Sequence, residues 1–405
     1  MPDGLFPPFT RPLRVGFITE PLENPGGMSL AALRHLRLVA PEIELVPLVI
    51  EPPGPSDQGL GVVLPFTVEE RQGFRIFADE LSTRSRSHRN QDYIYGQKIA
   101  WLASQEKLDV LHVFGAFGNN ALMAATAALE CDIPLMISFR GGDLDVHLFG
   151  SYASQLQLAI NAATLCVCLN HGASRRLSSL FGAKVIHTIR NHVHADAFVA
   201  EVEIVLPRGK PIVGCFGRFR QITGFEQLLA AFDLSADHHE AFLLLGGEIH
   251  PKEIQWLAPK LEQMRHPRRV LHLGHIPHRE VLATMRVCDL LVFPSIADAS
   301  PNKVLEGMLA RRAIAASKVG GIVEMIRHDQ EGVLFNPYDT AEIAGIISAL
   351  LADPEKRKRL GEAAFRRVTT HFNRDRERRD WLAAYGQVAF KKNSISHGVG
   401  GEMND

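Results

Sequence analysis

No run of about 18 consecutive apolar residues occurs in the chain, so no segment is expected to cross a membrane as a helix. The opening stretch, MPDGLFPPFTRPLR, does not read as a signal peptide. Cysteine is scarce and odd in number, 5 among 405 residues, with neither metal-ligand nor redox spacing. Cys166 and Cys168 alternate along LCVCL and are expected as small buried side chains. A reducing cytoplasm is therefore the expected compartment. Excess charge of either sign is also missing: the formal net charge is −1, which argues against bulk electrostatic binding of nucleic acid. Histidine is plentiful at 18, yet His238-His239 and the others lack ligand spacing. Finally, no Gly-x-Gly-x-x-Gly follows the first apolar run, RVGFITEPLENPGG, which speaks against a nicotinamide-dependent oxidoreductase.

What is present is a core-forming composition, 46% hydrophobic, in a chain long enough for about two domains. Short apolar runs alternate with longer amphipathic ones: RVGFIT, IELVPLVI, DVLHVFG, PLMISF, LCVCLN and VIHTI. After the turn-rich LPRGKP the pattern restarts with PIVGCFG, AFLLLGG, VLHLG, LLVFPS, AIAAS and GVLF. Unbroken apolar strands separated by helices predict parallel sheets covered on both faces, an α/β class. The restart predicts two Rossmann-like, doubly wound domains, 1–206 and 207–375, followed by a helix at 376–390 and a polar, Gly-rich, disordered tail at 391–405. Ligands of such sheets bind beyond the carboxyl ends of the strands, and two such domains are expected to face each other across a cleft.

One strand exit is crowded with polar groups. CDLLVFPSIA runs directly into DASPNKVLEGMLA. Ser300 before Pro301 predicts a helix start, with the hydroxyl as N-cap and the amides of Asn302, Lys303 and Val304 left unpaired. A helix N-terminus with a lysine in its first turn suits phosphate. Asp298 and Glu306 beside it suit sugar hydroxyls. The bland alternative is an i,i+3 surface pair between Lys303 and Glu306, worth about 0.2–0.5 kcal/mol, with Asp298 an ordinary turn residue.

The segment CDLLVFPSIADASPNKVLEGMLARRAIAASKVGGIVEMI resembles the donor-site region of retaining glycosyltransferases of family four, which have the GT-B fold. Two acids separated by seven residues are its mark, here Asp298 and Glu306, followed by Gly320-Gly321 and Glu324. The likeness extends over most of the chain, through GGMSLAALRHL, LDVLHVFGAFGNNALMAATAALECDIPLMISFRGGDLD, IRNHVHADAF, VGCFGRFRQITGFEQLLAAF and VLHLGHIPHREVLATMRVCDLLVFPS. It implies a nucleoside diphosphate sugar as co-substrate, a hydroxyl acceptor, and neither metal nor other cofactor. Residue by residue, it implies that Glu306 holds the ribose hydroxyls and Asp298 lies near the donor sugar. Arg218, after Gly217, would neutralise the diphosphate. Gly26 and Gly27 would admit the sugar-phosphate close to backbone, and Ile276 would lie beside the base.

Three departures stand out. The lysine usual shortly after the arginine is Thr223 here, which leaves Lys303 as the candidate replacement charge. Arg140 stands where a histidine is common, and it cannot shuttle a proton at neutral pH. Its alternatives are an anion contact or a salt bridge with Asp143 or Asp145. The usual Asn-Gly-Val-Asp segment has become Asn191-His192-Val193-His194. Asn191 and His112 are candidate cleft or acceptor residues, although a satisfied strand-end histidine explains His112 equally. Asp143-Leu144-Asp145 reads as loop structure rather than a metal site. The basic run EKRKRLGEAAFRR, continuing to RDRERRDW, reads as a solvated helix face, with docking on anionic lipid at the inner membrane face as its rival. The rival functions are a degenerate sugar-nucleotide binder, motivated by these departures, and a sugar-nucleotide epimerase of the same architecture.

Overall fold

The computed structural model describes residues 11–19, 27–51, 67–71, 74–80, 88–117, 119–145, 150–182, 185–193 and 204–396. Two compact units emerge: Met1–Ile189 with Arg378–Asp405, and Arg190–Glu377. The strand pattern put the first boundary after residue 206, whereas the contacts move it to Arg190. Tertiary bonds decide this, not periodicity. Arg190 pairs with Glu324 at 2.7 Å, the His192 amide donates to Glu377 at 2.6 Å, and the Val193 amide donates to the Phe372 carbonyl at 3.2 Å.

The first unit holds β1 (Leu13–Thr19), β2 (Ile43–Glu51), β3 (Thr67–Arg71), β4 (Phe74–Glu80), β5 (Val110–Phe114), β6 (Leu135–Ser138), β7 (Leu165–Cys168) and β8 (Ile186–Thr188). They form one sheet in the order β3-β4-β2-β1-β5-β6-β7-β8. Every pairing is parallel except β3 with β4. That antiparallel pair was missed in the sequence, because TVEER and FRIFADE carry charge at positions where the other strands are apolar.

The second unit contains β9 (Ile212–Phe216), β10 (Phe242–Gly246), β11 (Val270–His272), β12 (Leu290–Phe293), β13 (Ala313–Ser317) and β14 (Val333–Phe335). All are parallel, in the order β11-β10-β9-β12-β13-β14. Both faces are buried: Val213 and Cys215 of β9 enter one apolar cluster, while Ile212 and Phe216 enter the other. Strand succession reverses between β9 and β12, which opens a crevice at their carboxyl ends.

The Arg374–Ser396 helix passes from the second unit into the first. It continues to Ser396, so the segment from 391 begins as helix; the next glycine is Gly398, and residues 397–405 lie outside the described set. Trp381, Tyr385 and Val388 are fully buried in the first unit's core with Phe17, Leu36 and Phe114. A polar chain crosses this apolar contact. The Tyr385 hydroxyl lies 2.8 Å from His35 Nε2 and 2.7 Å from His112 Nδ1, and His112 Nε2 lies 2.9 Å from Ser138 Oγ. His112 is thus a satisfied core histidine and not a cleft-lining one. Burial holds its imidazole neutral and brings its pKa down to about 3, with the Arg140 charge acting the same way.

Among the described residues no helix is long and apolar enough to cross a membrane. The cysteines are free, and Cys166 and Cys168 are buried in β7 as expected.

Candidate functional site

Residues from four strand exits of the second unit converge at the β9/β12 crevice. β9 ends at Gly217, whose φ of +131° an L side chain rarely adopts. A Cβ on Gly247, after β10, would stand 2.0 Å from the Gly217 carbonyl oxygen, so two backbones touch where side chains cannot fit. Ile276, beyond β11, packs against the neighbouring Gly246, within 2.7 Å of where a Cβ would sit. The floor of the crevice is therefore bare backbone with one aliphatic edge.

Arg218 leaves this floor exposed, and its guanidinium has no hydrogen-bond or ion-pair partner among the described residues. Thr223, where a lysine was absent, is committed elsewhere. Its hydroxyl accepts from the Arg220 amide at 3.0 Å and donates to the Arg220 carbonyl at 2.6 Å, closing a short turn. Gly224 after it (φ +68°) lies against the Pro294 carbonyl, which braces the β9 loop on the β12 loop.

The β12 exit supplies the rest. The helix there spans Asn302–Leu309, one residue later than expected, and Pro301 takes the N-cap position without a side-chain cap. The Val304 amide, expected free, donates to the Pro301 carbonyl at 3.0 Å. Ser300 does not cap: its hydroxyl is shielded and has no partner among the described residues. Lys303 folds back toward the strand ends. Its Cδ passes 3.4 Å from the Cβ position of Gly217, and Nζ lies 2.9 Å from Ser295 Oγ and 3.5 Å from Asp298 Oδ2. The i,i+3 pairing of Lys303 with Glu306 is not what forms. Glu306 instead turns to His278, Oε1 to Nε2 at 3.0 Å.

Asn191 joins this group, donating to Asn302 Oδ1 at 3.2 Å. The Gly320-Gly321 pair underlies Asp298: the Gly321 amide donates to the Asp298 carbonyl at 3.2 Å, and a Cβ on Gly320 (φ +47°) would stand 1.9 Å from that oxygen. The second unit thus gathers Gly217, Arg218, Ile276, Asp298, Asn302, Lys303 and Glu306. Ser295, which tethers Lys303, and His278 were not singled out in the sequence. Their signal was position alone, just past the ends of β12 and β11.

The remaining candidates belong to the first unit. Arg140, beyond β6, lays its guanidinium 4.5 Å over the Phe114 ring. Asp143 is fully buried and accepts amides of Ala116, Arg140, Gly141 and Leu144 at 2.8–3.2 Å. A carboxylate so occupied is loop structure, while the Asp145 side chain lies outside the described residues. Gly27 opens the Gly27–Val39 helix, and a Cβ added there would meet no described atom within 4 Å; Gly26 lies outside the described residues.

Two units of this topology, with a helix passing from the second back to the first, define the GT-B architecture. Residues 200–367 match the family model for glycosyl transferases group 1. Among curated relatives, the chain is 29% identical over 254 residues to a glycogen synthase of Mycobacterium tuberculosis, covering 60% of this chain and 60% of that protein, less than two thirds of its length. It is 25% identical over 297 residues to the N-acetyl-alpha-D-glucosaminyl L-malate synthase of Bacillus anthracis, covering 70% and 76%. Among solved structures, Anabaena HepE in complex with UDP superposes with TM-score 0.72 at 17% identity, over 92% of this chain and 99% of that one. Sucrose-phosphate synthase of Thermosynechococcus elongatus gives 0.69 at 18%, over 95% and 98%.

Proposed function

We propose that the protein is a retaining glycosyltransferase of family four that moves a sugar from a nucleoside diphosphate to a hydroxyl of a glycan, a glycolipid or a small molecule. The observation that carries this reading is the Arg218 guanidinium, without a partner among the described residues, beside a Cβ-free floor against which the Lys303 side chain is folded. Such a place favours a compact, doubly charged group that needs close backbone approach. HepE structures contain UDP and UDP-glucose, which supports the choice of ligand class.

In this reading Arg218 and Lys303 bind the diphosphate, and Glu306 binds the ribose. Ile276 flanks the base, and Asp298 accepts from donor-sugar hydroxyls. Gly26, Gly27 and Arg140, all in the first unit's sequence, are further donor-side candidates in this reading. The anomeric C–O bond breaks, its electron pair leaving with the diphosphate. The acceptor oxygen bonds to the same face, and its proton passes to the departing phosphate oxygen. Fixed cations and amides stabilise the charge that develops on the leaving group, and this chemistry calls for no metal. The enzyme is cytoplasmic in this reading, with the basic helices offering a peripheral contact to anionic lipid.

The test is thermal stabilisation by a panel of UDP-, GDP- and ADP-sugars, followed by product analysis with labelled donor and a panel of hydroxyl acceptors. An α-linked product from an α-linked donor supports retention. Absence of stabilisation by every donor, with no transfer, would sink the reading.

A further inference from the structure

The Glu306 carboxylate is held unevenly. Its side chain is 11% exposed, Oε1 lies 3.0 Å from His278 Nε2, and Oε2 has no hydrogen-bond partner among the described residues. His278 is the first residue of the His278–Arg286 helix, directly beyond Ile276 and Pro277, while Glu306 lies on the Asn302–Leu309 helix. The imidazole is 64% exposed, so apolar packing does not account for its place. Arginine at this position could engage both carboxylate oxygens at once, whereas an imidazole nitrogen takes one. A mostly buried carboxylate with one oxygen anchored and one open has acceptor capacity that a neighbouring hydroxyl can fill.

We propose that His278 is a positioning residue for the nucleotide: it fixes Oε1 so that Oε2 is presented to a ribose hydroxyl. This rests on the glycosyltransferase reading and adds to it the residue that aims Glu306. Nothing in the transfer step passes through His278, so it acts on binding rather than on bond cleavage.

The experiment begins with wild-type affinities for UDP, GDP and ADP by calorimetry, then uses His278→Ala and His278→Gln with the tightest of the three and its 2′,3′-dideoxy form. His278→Ala is expected to weaken binding of the ribonucleotide about 5- to 10-fold. The glutamine amide, which can also donate to Oε1, recovers most of that loss. The penalty shrinks to about 2-fold or less with the 2′,3′-dideoxy form, since the contact being aimed is then missing. In turnover with the matching sugar donor, KM rises while kcat holds. Melting temperature stays at the wild-type value. Equal penalties for the ribo and dideoxy forms, unchanged affinity, or a lowered melting temperature with intact affinity would each overturn the proposal. If the wild type binds none of the three diphosphates, the glycosyltransferase reading itself falls first and this one with it.

Discussion

The Lys303 ammonium stands 3.5 Å from the Asp298 carboxylate and 2.9 Å from the Ser295 hydroxyl, folded beneath the glycine turn that ends β9. The turn of backbone at Ser300-Pro301, between Asp298 and Lys303, brings their side chains together. The charge is tethered and only 18% exposed, so it is already oriented before any ligand arrives. Lys303→Ala should weaken donor binding about tenfold, or about 1.4 kcal/mol, a modest value for one charge-assisted hydrogen bond. Calorimetry with the preferred nucleotide measures it; an unaltered dissociation constant would remove Lys303 from the donor site.

Arg218 offers the contrasting case, because it has no partner among the described residues to lose. Arg218→Ala should leave the melting temperature unchanged while lowering kcat/KM by about 100-fold, the scale of losing one stabiliser of transition-state charge. Paired thermal and kinetic measurements read this out. A large fall in stability would show that the side chain serves the fold.

Gly320 tests the support under Asp298. Alanine there adopts an unfavourable φ of +47° and drives its Cβ to 1.9 Å from the Asp298 carbonyl oxygen. Gly320→Ala should destabilise the protein by about 2–3 kcal/mol and weaken donor binding as the 298–299 backbone shifts. Urea unfolding and calorimetry on the same sample check both. A variant as stable as wild type would mean that the loop yields freely.

His35 and His112 predict the response to acid. Burial lowers both pKa values, His112 to about 3 from the ordinary 6.5 of an exposed imidazole. Their folded-state values lie below the unfolded ones, so the unfolded chain binds more protons between them. Stability from these groups is fully present above about pH 6.5 and is lost as pH falls from there toward 3. Each group contributes a slope of about 1.4 kcal/mol per pH unit within its window. Urea midpoints from pH 7.5 to 5 should drop accordingly, and His112→Gln should reduce the slope. A flat profile would mean that the histidines are reached by solvent.

Tyr385→Phe isolates the hydroxyl that joins the two imidazoles. It leaves a buried nitrogen on each histidine without its partner, a cost of about 1–3 kcal/mol per group. Unfolding free energy should fall by that order while Trp381 and Val388 keep their apolar contacts. A change below about 0.5 kcal/mol would assign the docking of this helix to apolar burial alone.

Much of the donor site could be read in one dimension because it is local. Gly217-Arg218 and Asp298 to Glu306 each follow a strand within a few residues, and strand ends are where open parallel sheets bind ligands. The antiparallel pair β3/β4 escaped notice, since charged residues interrupt TVEER and FRIFADE where the other strands are apolar. His112 was open to two readings because the sequence did not fix its place; it proves to be the middle residue of β5, on a face that needs a partner packed above it. Tyr385, 273 residues away, fills that place.

The order of apolar runs by itself determined two strand-and-helix units, and the residues just past those runs identified the acids and cations at the strand exits. The strand order, with its reversal between β9 and β12, and the antiparallel β3/β4 pair came only with assembly. Only the tertiary structure decided how those acids and cations divide their partners. It paired Lys303 with Ser295 and Asp298, gave Glu306 to His278, drew Arg190 to Glu324 across 134 positions, and left Arg218 without a partner among the described residues. The reason is physical. Periodicity and turn chemistry act between near neighbours, whereas a hydrogen bond depends on distances that exist only after the sheet has been assembled.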